Sequence, residues 1–577
     1  MTETKHPEIK TMTQRRWIGK HADMEAVDNL SKELGLHPVV SRVLVTRDCE
    51  RLENARDFIS SENAPLPNPY LMFGVEKAVK RIEQAIARGE RILIVGDYDV
   101  DGLTASAILV KALRARGATP DYHIPSRMNE GYGLSETAVL AGAQEGVTLI
   151  ITVDTGITAV EQVELAKRHG IDVVISDHHS IGSTIPAACC VVHPAYPRNH
   201  YSTPHLCGAG VAFKFAQALL GRVPEELLEM VALGTIADQV ALTGENRTLV
   251  QMGLSRINHG ASIGVSALLH VSGLENKRIS SEDVMFQIAP RINAVGRLTE
   301  SAKTVVDLFL TEDPEEALSI SGKMNSLNYF RKKIQSKMEL EAIEQIESHP
   351  EWTNKRSICV AKEGWMEGLV GILAGKIAER YYKPTLCIAI NEKIAKGSGR
   401  TIPDFNLYQA LSTSQTTAGV LTKWGGHAAA VGFTLNSDDI SQLQSSFWES
   451  ADSQWTKDML GPHYVADSPL ELEDISFRLT DHLRKLEPWG QGNPEPIFFV
   501  KNAVIYSSEA MGSDGQHLKV TLKDKIGRLY NMVAFGRGDE VGQWHPGDSK
   551  HLLVRVKENI VGVHRRLQLH LVDSREA

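Results

Sequence analysis

Residues 91–117 read RILIVGDYDVDGLTASAILVKALRARG, and this stretch decides how the rest of the chain is read. RILIVG at 91–96 is a short run apolar on both faces, while LTASAILVKALRARG at 103–117 carries its apolar residues at helical spacing. The same order recurs downstream. VTLIITV at 147–153 precedes the helical ITAVEQVELAKRHG at 157–170, and IDVVIS at 171–176 supplies a third strand. Strands buried on both faces and alternating with helices predict an α/β domain built on a parallel, doubly wound sheet. In such a sheet the loops at the carboxyl ends of the strands converge on one crevice. Here those loops begin Asp97-Tyr98-Asp99-Val100-Asp101-Gly102, Asp154-Thr155-Gly156 and Asp177-His178-His179.

One aspartate after a strand is commonly a helix N-cap. Three consecutive strand ends delivering carboxylates to one edge need another reason, because clustered carboxylates raise one another's pKa unless a cation neutralises them. A pair of divalent ions does this, and oxygen ligands with one or two imidazoles suit Mn²⁺ or Mg²⁺. The segment opening at Asp97 has the start of a calcium loop, but its twelfth position is Ile108, inside a helix, where that loop needs a glutamate.

Outward from this centre, 577 residues are too many for one core and imply several domains. Short helices and turns fill an N-terminal segment, 1–60, before the α/β domain, 61–310. Residues 311–350 are rich in helix formers and read as one or two long connecting helices. A second α/β domain, 351–460, has SICVA and PTLCIAI as strands and EGLVGILAGKIAERY as a helix. In 461–577 the pattern becomes short β-like stretches, PIFFVKNAVIY, HLKVTLKD, LYNMVAF, HLLVRVKENI and RLQLHLV, which predict an all-β module of small-barrel size.

Composition narrows the function classes. No window approaches the ~20 apolar residues of a membrane span, and the N-terminus lacks the apolar core of a secretory signal. Six cysteines without C-x-x-C spacing fit reduced thiols in a cytoplasm. The net charge of −9 does not favour a nucleic-acid partner, so one would have to be held by local basic surface and bound cations. Gly375-Lys376 is followed by Ile377, so there is no phosphate loop and no ATP requirement is expected.

GDYDVDG (96–102), VDTGI (153–157), SDHH (176–179) and ALGTIADQV (232–240) resemble the successive motifs of the DHH phosphoesterase superfamily. PRINAVGRL (290–298), KGSGRTIPDFNLYQAL (396–411), WGGHAAAVGF (424–433) and LEPWGQGNPEPIF (486–498) extend the likeness, in order, to the RecJ family of bacterial single-strand-specific exonucleases. The glycine-rich WGGHAAAVGF is similar to the signature of the accompanying DHHA1 domain, and the β-module looks like an OB-fold.

The resemblance implies a metal-dependent exonuclease that hydrolyses single-stranded DNA from the 5′ end to mononucleotides, in DNA recombination and repair. It implies two ions, Mg²⁺ or Mn²⁺, held by Asp97, Asp99, Asp101, Asp154, His178 and Asp238, with Asp154 bridging. His179 is then the catalytic or phosphate-contacting imidazole, and Asp177 orients a histidine. Arg127, Ser398 and Arg400 resemble positions that grip a terminal 5′-phosphate, work to which the arginine fork is suited. Gly425, Gly426 and His427 would present backbone N–H groups and an imidazole to the nucleic-acid backbone, and Arg291, near Asn293 and Arg297, would line a cleft.

In the β-module, Lys519, Lys523, Lys525, Arg528, Arg555, Lys557, Arg565 and Arg566 offer local positive charge. Phe499, Tyr506, Tyr530 and Phe535 are candidates for base stacking or for core. Single-stranded DNA is the expected partner, with a single-strand-binding protein and a helicase, and neither membrane nor ATP. One departure from the family is Met366, where a histidine is often found, so that loop is assigned no chemistry. The competing readings are a DHH-type hydrolase of a small phosphate ester and a non-catalytic DNA-binding scaffold. The β-module argues against the first and the full set of carboxylates and histidines against the second.

Overall fold

In the computed structural model, which describes residues 15–61, 64–126, 130–197, 199, 201–299, 301–412, 419–561 and 564–577, the three predicted strands are Ile92–Val95 (β1), Leu149–Val153 (β3) and Asp172–Ser176 (β4). With Asp121–His123 (β2) and Cys190–Val192 (β5) they form a five-stranded sheet of order β2-β1-β3-β4-β5, parallel throughout. Every residue of β1 and β3 is buried, as strands covered on both faces require. The order reverses between β1 and β3, so the crevice outside their carboxyl ends is the topological switch point where ligands bind in such sheets.

Helix α1, Val100–Ala115, is buried almost all round. It packs against α2 (Gly208–Leu220) and α3 (Leu228–Ala237), and α3 in turn packs against α4 (Gly244–Gly260). A helix without a polar face belongs in the interior. The two helices covering α1 are the ones whose ends reach the strand-end crevice.

The chain divides into two compact units. One comprises Gly19–Asn325 and Val465–Ala577; the other comprises Ser326–Tyr464 with the described residues before Gly19. The expected connection is a single helix of 34 residues, α5, Pro314–Glu347, within which the chain passes from the first unit to the second.

The second unit holds a five-stranded sheet of β6 (Ile358–Glu363), β7 (Thr385–Asn391), β8 (Ile394–Arg400), β9 (Leu421–His427) and β10 (Ala430–Asn436). Its order is β9-β10-β8-β7-β6, and only β6 and β7 run parallel. Alternation along the strands sorts the side chains between two cores. Ile358, Val360, Cys387 and Ala389 pack with α6 (Val370–Tyr381) and the last turns of α5, while Cys359, Leu386 and Ile388 pack with α7 (Ile440–Gln454).

The C-terminal strands β11 (Phe498–Met511), β12 (His517–Lys523), β13 (Leu529–Ala534), β14 (Ser549–Val561) and β15 (His564–Glu576) close in the order β11-β12-β13-β15-β14-β11, a five-stranded OB-type barrel. The expectation that 461–577 is all β needs one correction. Phe477–Arg484 (α8) is a helix, with Ser476 accepting from the Leu479 N–H as its cap, and Ser-Phe-Arg-Leu with apolar residues three and four apart was its signature. The barrel interior is not its own. Val520, Leu522, Met532, Leu552 and Val554 belong to one core with Val27, Leu30, Val40, Val43 and Leu44 from the N-terminal helices Met24–Leu34 and Pro38–Val45.

All six cysteines are free thiols. Among the described residues no helix is long and apolar enough to cross a membrane.

Candidate metal centre

The DxDxD run places three carboxylates in three different local settings. Asp97 is 3% exposed in the loop after β1. Asp99 is the N-cap of α1, one carboxylate oxygen accepting from the Asp101 and Gly102 N–H groups at 2.9 and 3.1 Å. Asp101, in the first helical turn, faces α2, whose opening Gly208 and Ala209 N–H groups donate to its two oxygens at 2.6 and 2.8 Å. The positive end of one helix thus holds a carboxylate carried by another.

Asp154 follows β3 in the left-handed region, at φ 59°, with its own N–H donating to the Ser176 carbonyl at 3.0 Å. Few non-glycine residues tolerate that backbone, and such strain gathers at functional sites. Space beside Asp154 exists only because residue 208 is glycine: a Cβ there would lie 2.5 Å from the carboxylate.

His178 and Asp238 complete the cluster. His178 Nε2 lies 3.0 Å from Asp154, 3.7 Å from Asp101 and 3.9 Å from Asp238, the residue that ends α3. Three sets of side chains each bring their ligand atoms within 4.8 Å: Asp97-Asp99-Asp154, Asp101-His178-Asp238 and Asp154-His178-His179. Asp154 and His178 are each shared by two of them.

Burial and mutual repulsion raise the Asp154 carboxyl well above the usual range, raise Asp99, and push Asp238 up to about 8. Burial holds the His178 imidazole below its ordinary value, which keeps it neutral and able to ligate. Asp154 Oδ1 and His178 Nε2 are buried and make no hydrogen bond within the protein. A cation offers both atoms a partner and relieves the repulsion. Carboxylate oxygens with one or two imidazoles, in overlapping sets, fit a pair of divalent ions of the Mn²⁺ or Mg²⁺ kind.

Asp177 stands apart from these sets. Its Oδ1 accepts from the backbone of His178 and His179 and from His179 Nδ1, the last at 2.8 Å, and its Oδ2 accepts from the Ile157 N–H. Although burial opposes it, these bonds hold Asp177 below the usual carboxylate range. Burial also opposes the charge on His179, but the bond to Asp177 and the surrounding carboxylates raise that imidazole to about 9.

Comparison with known proteins matches residues 91–235 to the DHH family, N-terminal domain, 355–452 to the DHHA1 domain, and 466–573 to the RecJ OB domain. Over 564 residues the chain is 38% identical to the single-stranded-DNA-specific exonuclease RecJ of Bacillus subtilis (strain 168), spanning 97% of this chain and 71% of that protein. The chain belongs to the RecJ family. The RecJ of Escherichia coli (strain K12) is 35% identical over 507 residues, 84% of this chain and 85% of that one. Among solved structures, RecJ from Thermus thermophilus in complex with Mn²⁺ matches with a TM-score of 0.83 at 29% identity, covering 98% of this chain and 80% of that one. Its complex with Mg²⁺ matches at 0.78 and 28%, covering 98% and 79%. The divalent-metal requirement inferred from the carboxylates agrees with these RecJ structures.

The other RecJ-like positions fall in several places. Ser398 and Arg400 come together on β8: an Arg400 guanidinium nitrogen donates to Ser398 Oγ at 3.1 Å and to the Gly399 carbonyl at 2.8 Å. Gly371 on α6 leaves room for the pair, since a Cβ there would sit 3.1 Å from Ser398 Oγ. Gly425, Gly426 and His427 lie exposed on β9, an edge strand, opposite Gly432, Val431 and Ala430. Arg291 donates to Asn325 Oδ1 and the Gln287 carbonyl. Arg127 lies outside the described residues. Met366 packs against a hydrophobic core.

The barrel is less basic than its composition suggests. Lys519, Lys525, Arg555, Lys557 and Arg565 are each drawn into ion pairs, with Glu509, Glu471, Glu495, Glu495 and Glu558. Tyr506 and Phe535 remain exposed, whereas Tyr530 packs on the core.

Two site residues escaped the sequence reading. The Tyr132 hydroxyl lies 3.0 and 3.1 Å from the two ring nitrogens of His179, from a loop without periodicity to flag it. His193, 1% exposed, meets the His179 carbonyl through Nε2 at 2.8 Å. It directly follows β5, so the strand-end logic that found the aspartates would have found it too.

Proposed function

We propose that this chain is a divalent-metal-dependent exonuclease that hydrolyses single-stranded DNA from its 5′ end to mononucleotides. The observation that carries this reading is the buried cluster joining Asp97, Asp99 and Asp154 to Asp101, His178 and Asp238, in a chain of the RecJ family. Those six side chains would hold the ions, with Asp154 between them. Bound there, two divalent cations supply Lewis-acid polarisation of the scissile phosphate and a nucleophile at neutral pH.

The chain's own residues do the rest. Asp177 accepts the Nδ1 proton of His179 and so fixes the ring, leaving Nε2 as the atom that exchanges a proton with the substrate or binds its phosphate. The Tyr132 hydroxyl, within hydrogen-bond reach of both ring nitrogens, steadies the same ring. Ser398 and Arg400 are assigned the grip on the terminal phosphate, Arg127 is assigned to that role by the family resemblance of its sequence alone, and Gly425, Gly426, His427 and Arg291 are assigned to the strand. Residues 61–310 then act as the catalytic domain, 311–350 as the connecting helix, 351–460 as the DHHA1 domain and 461–577 as the nucleic-acid-binding domain. The enzyme works in the cytoplasm, in recombination and repair, beside a single-strand-binding protein and a helicase.

The test incubates the protein with Mn²⁺ or Mg²⁺ and end-labelled single-stranded DNA, duplex DNA and RNA of one sequence. Single-stranded DNA should be degraded from the 5′ end, faster when 5′-phosphorylated than when 5′-hydroxylated, and Arg400→Ala should shrink that preference. Release of 3′ label first would overturn the polarity. Turnover of pyrophosphate or a cyclic dinucleotide without attack on DNA would move the chain to the small-substrate hydrolases.

A further inference from the structure

The segment LEPWGQGNPEPIF, which enters the barrel, contributes nothing to the metal cluster directly, yet it touches the loop that ends in it. Gly490 and Asn493 exchange both backbone hydrogen bonds, at 2.9 and 3.1 Å, which closes a tight turn with Gln491 and Gly492 at its tip. Gly492 has φ +73°, open to glycine at little cost. The Asn493 side chain, 1% exposed, donates to the Leu486 and Pro488 carbonyls and accepts from the Arg47 guanidinium at 2.7 Å. A buried amide satisfied on both ends makes the turn rigid.

The tip of this turn meets the segment that follows Asp238. The Gln491 carbonyl accepts from the Leu242 N–H at 2.7 Å. A Cβ on Gly490 would stand 2.6 Å from Leu242 Cδ1, and one on Gly492 would stand 3.1 Å from Ala241 Cβ. Residues 238–243 leave α3 with Gln239 in the left-handed region, at φ 61°. The Asn246 amide holds the Ala241 carbonyl at 3.1 Å and the His205 carbonyl at 2.7 Å. The loop carrying Asp238 is therefore gripped from inside by Asn246 and from outside by the turn.

We propose that the turn Gly490–Asn493 is the positioning element for Asp238, so that the ion held by Asp101, His178 and Asp238 depends on the segment leading into the C-terminal barrel. The inference rests on the reading of Asp238 as a ligand. Gln491, Gly490 and Gly492 belong to none of the ligand sets and act through Leu242 and Ala241. Supporting residues of this kind commonly change metal affinity by about 10–100-fold.

The test titrates Mn²⁺ into the metal-stripped full-length protein by calorimetry and follows the manganese resonance signal. The wild type should take up two ions and give an exchange-coupled signal. Asp238→Ala and Gly490→Ala should each weaken one ion by about tenfold or more, leave the other in place, and convert the signal to that of isolated Mn²⁺. Adding Leu242→Ala to Gly490→Ala removes the clash and should restore the coupled signal, which a general loss of stability would not do.

If Asp238→Ala binds Mn²⁺ as the wild type does, both the ligand assignment and this inference fall. If Asp238→Ala loses one ion while Gly490→Ala keeps both at wild-type affinity, the assignment stands and the inference alone is overturned. A Gly490→Ala defect that persists in the double variant overturns it as well. Should Gly490→Ala not fold, Asn493→Ala, which unties the base of the turn from the Leu486 and Pro488 carbonyls, should weaken the same single ion by about tenfold, and retention of both ions at wild-type affinity overturns the inference.

Discussion

At the scale of single residues, the chemistry turns on carboxylates that differ only in what their oxygens accept. Asp177 receives four N–H groups, one from the His179 ring. Asp177→Asn cannot accept at both oxygens, so His179 should lose its orientation. We expect kcat to fall by about 10²–10⁴-fold with Mn²⁺ binding retained, measured by single-turnover cleavage and calorimetry. Asp238 gives a prediction of opposite character. Without metal, its carboxyl stays protonated in the folded chain up to about pH 8, whereas in the unfolded chain it ionises near the ordinary carboxylate value. The unfolded state therefore binds fewer protons across that window, and metal-free stability should fall as pH rises from about 4 to 8. Melting curves of chelator-treated protein should show this slope, made shallower by Asp238→Asn and abolished by Mn²⁺.

At the scale of elements, the sequence discloses most where periodicity and position coincide. β1, β3 and β4 are short, wholly apolar and followed by Asp97, Asp154 and Asp177, so both the sheet and its functional edge can be read directly. Asp238 cannot be found this way, because it ends a buried helix whose apolar residues have no preferred face; only the likeness of ALGTIADQV to a family motif marks it. Tyr132 lies in a loop that no period describes. The left-handed backbone of Asp154 is equally invisible, since an aspartate after a strand is written the same way whichever sign its φ takes. Its companion is legible in hindsight. Gly208 opens α2 where a Cβ would overlap the Asp154 carboxylate, so Gly208→Ala should displace the proposed shared ligand. A shift of about 1 Å at such a place can cost 10²-fold. Cleavage should fall by about that factor, Mn²⁺ affinity should fall with it, and the melting temperature without metal should drop as well, because the clash reaches the Asp154 Cβ at a buried place.

At the scale of the whole molecule, the OB-type barrel is not a detachable module. Its interior is continuous with the N-terminal helices, and Arg247, 1% exposed, joins three parts of the same unit. The guanidinium stacks over Phe58 at 4.0 Å and donates to the carbonyls of Phe58, Lys485, Leu486 and Glu487. Arg247→Ala leaves those buried carbonyls without their donor and should destabilise the unit by about 3–5 kcal/mol, read from denaturant unfolding. Deleting 465–577 should strip the cover from Val27, Leu30, Val40 and Val43 and produce an aggregating chain, not a trimmed nuclease, as light scattering would show. None of this long-range sharing is written in local sequence patterns, which is why an apolar N-terminal helix pair reads only as short helices.

That shared core sets a timetable for synthesis. The His37 N–H is bonded to His482 Nδ1, 445 residues later in the chain. At about 5–20 residues per second, a ribosome needs roughly 20–90 s to supply the second partner after the first has emerged. For that interval the N-terminal helices wait with their apolar faces uncovered, a natural target for a holding chaperone. The nascent chain should gain protease resistance in this unit late and abruptly, when the final strands arrive, instead of acquiring it step by step from the N-terminus.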